Sequence, residues 1–309
     1  MGVSLSTLER YLAFRRALGP RPALERLTVQ ARGLDFAMYR TPPVAGALPL
    51  LCINGGLLFD HALLWPALAA LAAERQLIFY DQRGRGRSVT PPGMHASRLA
   101  FDAGDVPALR RALGVAQWDV LGHSWGGGIA MLSTAQDLDA TRRLVLVNAV
   151  GVTSEWLPPL HDAGIARLSG DARTRLAACD PGTLATPDLH AHAIYTQAFF
   201  PAWFADESFA AGVTPPKGTS AVGAVVAARL RREGYDWRDT LRDLPTPTLV
   251  VHGAADVLPL AEAERTAAHL GRARLLPIAE AGHNPFWEAP DAFFTAVHAF
   301  LTEGAPASL

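Results

Sequence analysis

The stretch Trp118-Asp119-Val120-Leu121-Gly122-His123-Ser124-Trp125-Gly126-Gly127-Gly128-Ile129 decides the reading of this chain. Its first four residues are mostly apolar and short enough for a buried strand, while Gly127 to Gln136 reads as a helix. Between them lies a G-x-S-x-G turn. A serine on such a strand-to-helix turn sits on strained backbone that needs small neighbours, here Gly122 and Gly126. The turn aims the hydroxyl at a helix N-terminus, where developing negative charge is stabilised. Ser124 is therefore the candidate nucleophile.

Outward from this turn, apolar runs alternate with helical patterns. The runs are Leu48 to Ile53, Gln76 to Tyr80, Trp118 to Leu121, Leu144 to Val147, Thr248 to Val251 and Ala273 to Pro277. Helices are expected at Trp65 to Glu74, Arg98 to Leu113, Gly127 to Gln136, Leu260 to Leu270 and Pro290 to Leu301. Arg26 to Gln30 and Phe36 to Arg40 form an opening hairpin around Gly33. The alternation predicts an α/β fold, a mostly parallel sheet flanked by helices. It breaks once: between Val147 and Thr248 about a hundred residues carry no clear strand, although an ordinary crossover needs only about 10 to 30. That segment holds Trp156, Tyr195, Phe199, Phe200, Trp203, Phe204, Tyr235 and Trp237. We read residues 1–150 and 241–309 as two parts of one core, and residues 151–240 as an inserted helical cap.

Composition narrows the function classes. The chain has 309 residues and a formal net charge of -1, so it lacks the basic excess of a sequence-independent nucleic-acid binder. Two cysteines, Cys52 and Cys179, make no disulfide framework, and Cys52 falls in a buried run. No apolar stretch reaches the length of a membrane span. Glu9, Arg10, Arg15 and Arg16 interrupt any signal-peptide core, and Leu5, Leu8, Tyr11 and Leu12 fit one face of a short amphipathic helix. Met1-Gly2 with Ser6 matches a myristoylation pattern too short to weigh. A cytoplasmic protein is expected. His190 and His192 form an H-x-H pair, but no further ligand cluster supports a metal site. Gly84-Arg85-Gly86 hints at a phosphate loop, yet it lacks the third glycine of a dinucleotide fingerprint and the Gly-Lys-Ser/Thr of a P-loop. It reads instead as a structural turn tied by Asp81 and arginines. No cofactor is expected.

A serine hydroxyl needs a base, and the base needs an acid. Of ten histidines, His283 in Ala281-Gly282-His283-Asn284-Pro285 stands just past the last strand, where a loop can reach over the serine turn. The other nine are read as structural. Asp256 follows the strand that ends near His252, while the alternative site after the preceding strand reads Val147-Asn148-Ala149-Val150 and has no carboxylate. The order Ser, Asp, His is that of one triad arrangement and not of the chymotrypsin or subtilisin ones. Backbone amides of Trp125 and of the Asn54-Gly55-Gly56-Leu57 loop supply candidate oxyanion donors, with Gly56 first and Leu57 second. Leu57, Phe59, Trp156 and Trp203 are candidate substrate contacts, and with His61 and Trp65 they suggest an apolar or aromatic acyl pocket.

With these residues in place the chain resembles the α/β-hydrolases over residues 25 to 150 and 241 to 303. It is most similar to the proline iminopeptidase-like branch. The resemblance rests on Asp81-Gln82-Arg83-Gly84-Arg85-Gly86-Arg87-Ser88, on Asp105, Leu109, Arg110, Leu113 and Gly114 before the turn, and on Trp125 after the serine. It departs where that branch has His-Gly-Gly-Pro-Gly and this chain has Asn54-Gly55-Gly56-Leu57-Leu58. Aminopeptidases of the branch also hold the substrate amine with cap acids. Asp162, Asp206, Glu207, Glu233 and Asp236 are available, but each reads better as surface charge. The expectation is a serine hydrolase acting on a small-molecule ester or lactone. Aminopeptidase, C–C bond hydrolase and non-catalytic binding protein remain as alternatives.

Overall fold

The computed structural model describes residues 5–303. Eight strands form one sheet: β1 (Glu25–Ala31), β2 (Leu34–Arg40), β3 (Leu50–Ile53), β4 (Leu77–Tyr80), β5 (Trp118–His123), β6 (Thr141–Val147), β7 (Thr248–Gly253) and β8 (Ala273–Ile278). Their order is β1-β2-β4-β3-β5-β6-β7-β8. The β1–β2 and β2–β4 pairs are antiparallel and all later pairs are parallel. The expected α/β class and mostly parallel sheet are what the chain forms.

Period-two alternation explains why the strands read as continuous apolar runs. Leu51, Ile53, Ile78, Tyr80, Val120, Leu144 and Leu146 face one core, whereas Leu50, Cys52, Leu77, Phe79, Leu121, Val145 and Val147 face the other. Helices cover both faces. They are α1 (Thr7–Ala17), α2 (Leu99–Ala112), α3 (Trp125–Gln136), α4 (Leu160–Arg167), α5 (Gly170–Ala177), α6 (Leu189–Phe199), α7 (Glu207–Ala211), α8 (Ala221–Glu233), α9 (Arg238–Leu241), α10 (Leu260–His269), α11 (Pro285–Glu288) and α12 (Pro290–Thr302). The helices α4 to α9 all lie between β6 and β7, and an isolated bridge between Thr153 and Asp236 joins the start of that segment to its end.

Two expectations change. The stretch from Trp65 to Glu74 is not an α-helix but a 3-10 coil over Ala67–Ala73, whose three-residue turn brings Leu68 and Leu71 onto one buried side. Helix α1 forms, but Leu5, Leu8 and Leu12 are exposed; contact is made by Tyr11 against Phe209 and by Phe14 stacked on Phe294. Two aromatic rings three positions apart offer more contact area than the leucine stripe and set the helix's rotation. Met1 and Gly2 lie outside the described residues. No helix among the described residues is long and apolar enough to cross a membrane.

Candidate active site

Helix α3 starts at Trp125, directly after the sheet's β5, so Ser124 occupies the junction at φ 55° and ψ -123°. A non-glycine residue at positive φ is strained, and such strain persists only where surrounding packing enforces it. Here a Cβ on Gly122 would collide with the Gly126 backbone, and one on Gly126 with the Ile53 and Asn54 backbone. Both glycines of the motif are steric requirements. As the first helical residue, Trp125 has no carbonyl within α3 for its N–H.

His283 and Asp256 arrive from loops beyond β8 and β7. His283 Nδ1 meets Asp256 Oδ2 at 2.7 Å, with both side chains almost fully buried. Asp256 also accepts from Asn148 Nδ2 at 2.7 Å and, through Oδ1, from the Leu258 amide at 3.1 Å. Burial pushes the Asp256 carboxyl up, but the charge and hydrogen bond of His283, with His252 and Asn148, outweigh it and hold it below the usual carboxylate value. Because Nδ1 faces a carboxylate, it carries the proton, and Nε2 is free to accept one. The Trp203 ring lies over the His283 ring at 4.1 Å, and the Trp203 carbonyl accepts from the His283 amide at 2.7 Å. The Ser124 hydroxyl makes no hydrogen bond to another described residue; apo sites of this kind often close that contact only with substrate.

The loop after β3 packs against Ser124. A Cβ on Gly55 would stand 2.6 Å from the Ser124 Cβ and 2.6 Å from the His123 carbonyl. Gly56 and Leu57 follow at φ 74° and 40°. This loop is braced by the segment from Asp81 to Ser88, the structural turn expected from its aspartate and arginines. Arg85 donates from Nε to the Leu57 carbonyl at 2.8 Å and pairs with buried Asp102 at 2.8 Å. Gln82 holds the Asn54 carbonyl at 2.9 Å, and Arg83 pairs with Asp105. Asp81 accepts from Tyr39, from His61 and from the Arg87 amide. Asp60, His61 and Asp81 are close enough for a metal, but the Asp81 oxygens are already committed to these donors.

A cavity opens beside Ser124 and His283. Gly56, Leu57, Phe59, Trp125, Trp156 and Trp203 all line it. So do Leu157, Leu160, Tyr195, Phe199 and Leu230, which makes the wall largely apolar. The histidine pair separates: His192 lines the cavity and bonds the Thr186 carbonyl at 2.9 Å, whereas His190 is exposed. Residues two apart on a helix do not share a face.

Four side chains at the site were not singled out from sequence. Asn148 bridges Asp256, the Gly282 carbonyl and the Gly253 amide, and stands at φ 43°. His252 lies 4.0 Å from Asp256 but gives its Nε2 to the Leu258 carbonyl. Buried His123 bonds the His283 carbonyl at 3.0 Å, and burial with the neighbouring His283 drives its pKa down to about 3. Glu288 accepts from Gly282 at 2.8 Å and Ala205 at 2.6 Å, tying the His283 loop to the segment between β6 and β7. Burial raises its pKa to about 7 against those donors. The positive-φ tolerance of asparagine was the one signal that could have marked Asn148. A carboxylate at the end of the four-residue helix α11 gave none.

Residues 49–290 match the family model for the alpha/beta hydrolase fold, and the chain belongs to that family. It is 30% identical to the putative carbamate hydrolase RutD of Caulobacter vibrioides over 91% of this chain and all of that protein. It is 28% identical to the proline iminopeptidase of Levilactobacillus brevis, over 86% of this chain and 94% of that one. The solved enol-lactonase of Burkholderia xenovorans superposes with a TM-score of 0.67 at 22% identity, covering 90% of this chain and all of that one. The proline iminopeptidase-like branch is thus among its relatives, within a family of hydrolases named for different bonds.

Proposed function

We propose that the protein is a serine hydrolase of carboxylic esters or lactones working through an acyl-enzyme. Ser124 attacks the carbonyl carbon while His283 Nε2 takes its proton. Asp256 stabilises the imidazolium, and the Gly56 and Trp125 amides receive the oxyanion. The proton then passes from His283 to the leaving oxygen; His283 next deprotonates water, which attacks the acyl carbon, and returns that proton to the Ser124 oxygen as the acyl–serine bond breaks and the acid leaves. The helices of residues 151–240 act as the cap that shields this chemistry from bulk water. The observation that carries the proposal is the buried 2.7 Å contact between His283 Nδ1 and Asp256, placed on the same cavity as a strained serine at a helix N-terminus.

The charges of the cavity favour this over the aminopeptidase reading. A free substrate amine needs a carboxylate, yet Asp162 is exposed, Asp206 caps α7, Glu207 bonds Ser169, Glu233 pairs with Arg98 and Asp236 with Arg238. None of the five lines the cavity, whose described wall contains Arg231 and no acid. The test is hydrolysis of short p-nitrophenyl esters beside proline p-nitroanilide, with fluorophosphonate labelling. Ser124→Ala should abolish ester turnover and labelling while keeping the fold. Turnover that survives in this variant ends the proposal, and failure of the native protein to label favours a binding role instead.

A further inference from the structure

Helix α8 presents Ala227, Leu230 and Arg231 to the cavity, positions three and four apart on one face. An arginine on an otherwise apolar face is costly to bury without an opposite charge. Its neighbours on the same helix have partners: Arg229 bonds the His95 carbonyl at 3.0 Å and approaches Glu233, while Arg232 bonds the Ala185 carbonyl. Arg231 is half-buried and has no carboxylate partner among the described residues; the polar groups that bear on it are the Tyr195 hydroxyl and the His192 ring, both on the cavity wall. Tyr195 is itself buried in the cavity wall, and its oxygen lies 3.2 Å from His161 Nδ1. Asp162 is the acid that bears on Tyr195, but it is exposed and makes no pair with Arg231. The largely apolar cavity that holds Ser124 and His283 therefore also holds one cation without a counter-charge, Arg231, beside the Tyr195 phenol and neutral polar groups such as His192 and Thr196.

Resting on the serine hydrolase reading, we propose that Arg231 and Tyr195 bind a carboxylate carried by the substrate away from its reacting bond. The substrate class is then a half-ester or lactone acid with an apolar spacer between the scissile carbonyl and a terminal carboxylate. A guanidinium fork and a phenolic O–H match the two oxygens of a carboxylate. One cation neutralises one negative charge, whereas a phosphate dianion would leave charge stranded among Leu157, Phe199 and Leu230. Burial holds the Arg231 pKa below its usual value, as expected for a cation lacking its counter-charge.

The experiment compares p-nitrophenyl monoesters of straight-chain dicarboxylic acids, from four to ten carbons, with their omega-methyl esters. In the native protein one spacer length should favour the free acid, with KM at least tenfold lower than for the capped ester. Arg231→Gln should reduce that preference at least tenfold, and Arg231→Lys should restore part of it. Equal KM for acid and capped ester at every length overturns the proposal without any variant, so a poorly folding substitution does not shelter it. Calorimetric titration of Ser124→Ala with the free acid and the capped ester separates the two layers. Selective binding of the acid there, with no turnover by native protein, refutes the hydrolase reading alone. Turnover of capped esters with no acid preference refutes the Arg231 assignment alone.

Discussion

Replacing Asn148 by aspartate tests the electrostatics of the site with almost no change in shape. Asn148 is fully buried, and its Nδ2 donates to Asp256 Oδ2 at 2.7 Å. Aspartate tolerates positive φ much as asparagine does, so backbone strain adds little to the difference. The substitution sets an oxygen where the donor was. Two ionised carboxylates at the 2.7 Å separation would repel by about 6 kcal/mol at an effective dielectric of 20. Keeping one of them protonated costs less. Each pH unit above the ordinary aspartate value of 3.8 is worth about 1.4 kcal/mol, which reaches about 4 kcal/mol at pH 7. The pair therefore takes up a proton on folding. One folded-state pKa lies above its unfolded value, so the folded protein binds more protons and the deficit grows as pH rises. Urea denaturation should place Asn148→Asp about 4 kcal/mol below the native chain at pH 7 and about 2 kcal/mol below at pH 5. Ester turnover should fall at least tenfold at pH 7, because a shared proton weakens Asp256 as the partner of His283. A deficit equal at the two pH values, or below about 1 kcal/mol at pH 7, would refute the reasoning.

The other predictions concern the loops that meet at Ser124. Gly55→Ala adds a Cβ 2.6 Å from that of Ser124, so it should cost about 1–3 kcal/mol in overpacking and most of the activity. Gly46→Ala, with open space at its Cβ but φ +76°, should leave turnover near native, and equal losses in both would count against the steric account. Glu288, raised from 4.5 to about 7, binds a proton more tightly folded than unfolded, so its ionisation costs stability as pH rises between those values. Glu288→Gln removes this dependence and should gain up to about 3 kcal/mol relative to the native chain from pH 4.5 to 7. A stability difference that stays flat across that range would show that Glu288 is ionised throughout.

Much of this was legible before any tertiary contact was known. Every strand run expected from the sequence falls within or beside an observed strand, because a sheet buried on both faces writes itself as unbroken apolar runs. The serine turn was legible for a similar reason: backbone that must pass φ 55° between a strand and a helix admits only small flanking residues. The 3-10 coil at Ala67–Ala73 was not, since its Leu and Ala spacing suits both helix types and only the depth available under the sheet selects between them. Likewise Leu5, Leu8 and Leu12 read as a buried face with Tyr11, yet of these only Tyr11 docks the helix, joined by Phe14, which the pattern did not mark.

The sequence by itself determined the fold class, the one long interruption of the sheet, and the order of Ser124, Asp256 and His283 along the chain. These are matters of local pattern and spacing, which a linear string preserves. What only the tertiary structure decided is which side chains from distant segments share one small volume. Asn148 and Asp256 are 108 positions apart yet 2.7 Å from each other, and Glu288 clasps a backbone 83 positions away. Nor could spacing separate Arg231 from the arginines beside it, for all three sit on the same helix with the same intrinsic charge. Their difference is the surroundings: Arg229 and Arg232 reach carbonyls, while half-buried Arg231 lines a largely apolar cavity beside the Tyr195 phenol. Desolvation and pairing are properties of three-dimensional neighbourhoods, so the chemistry of the cavity appears only once the chain is folded.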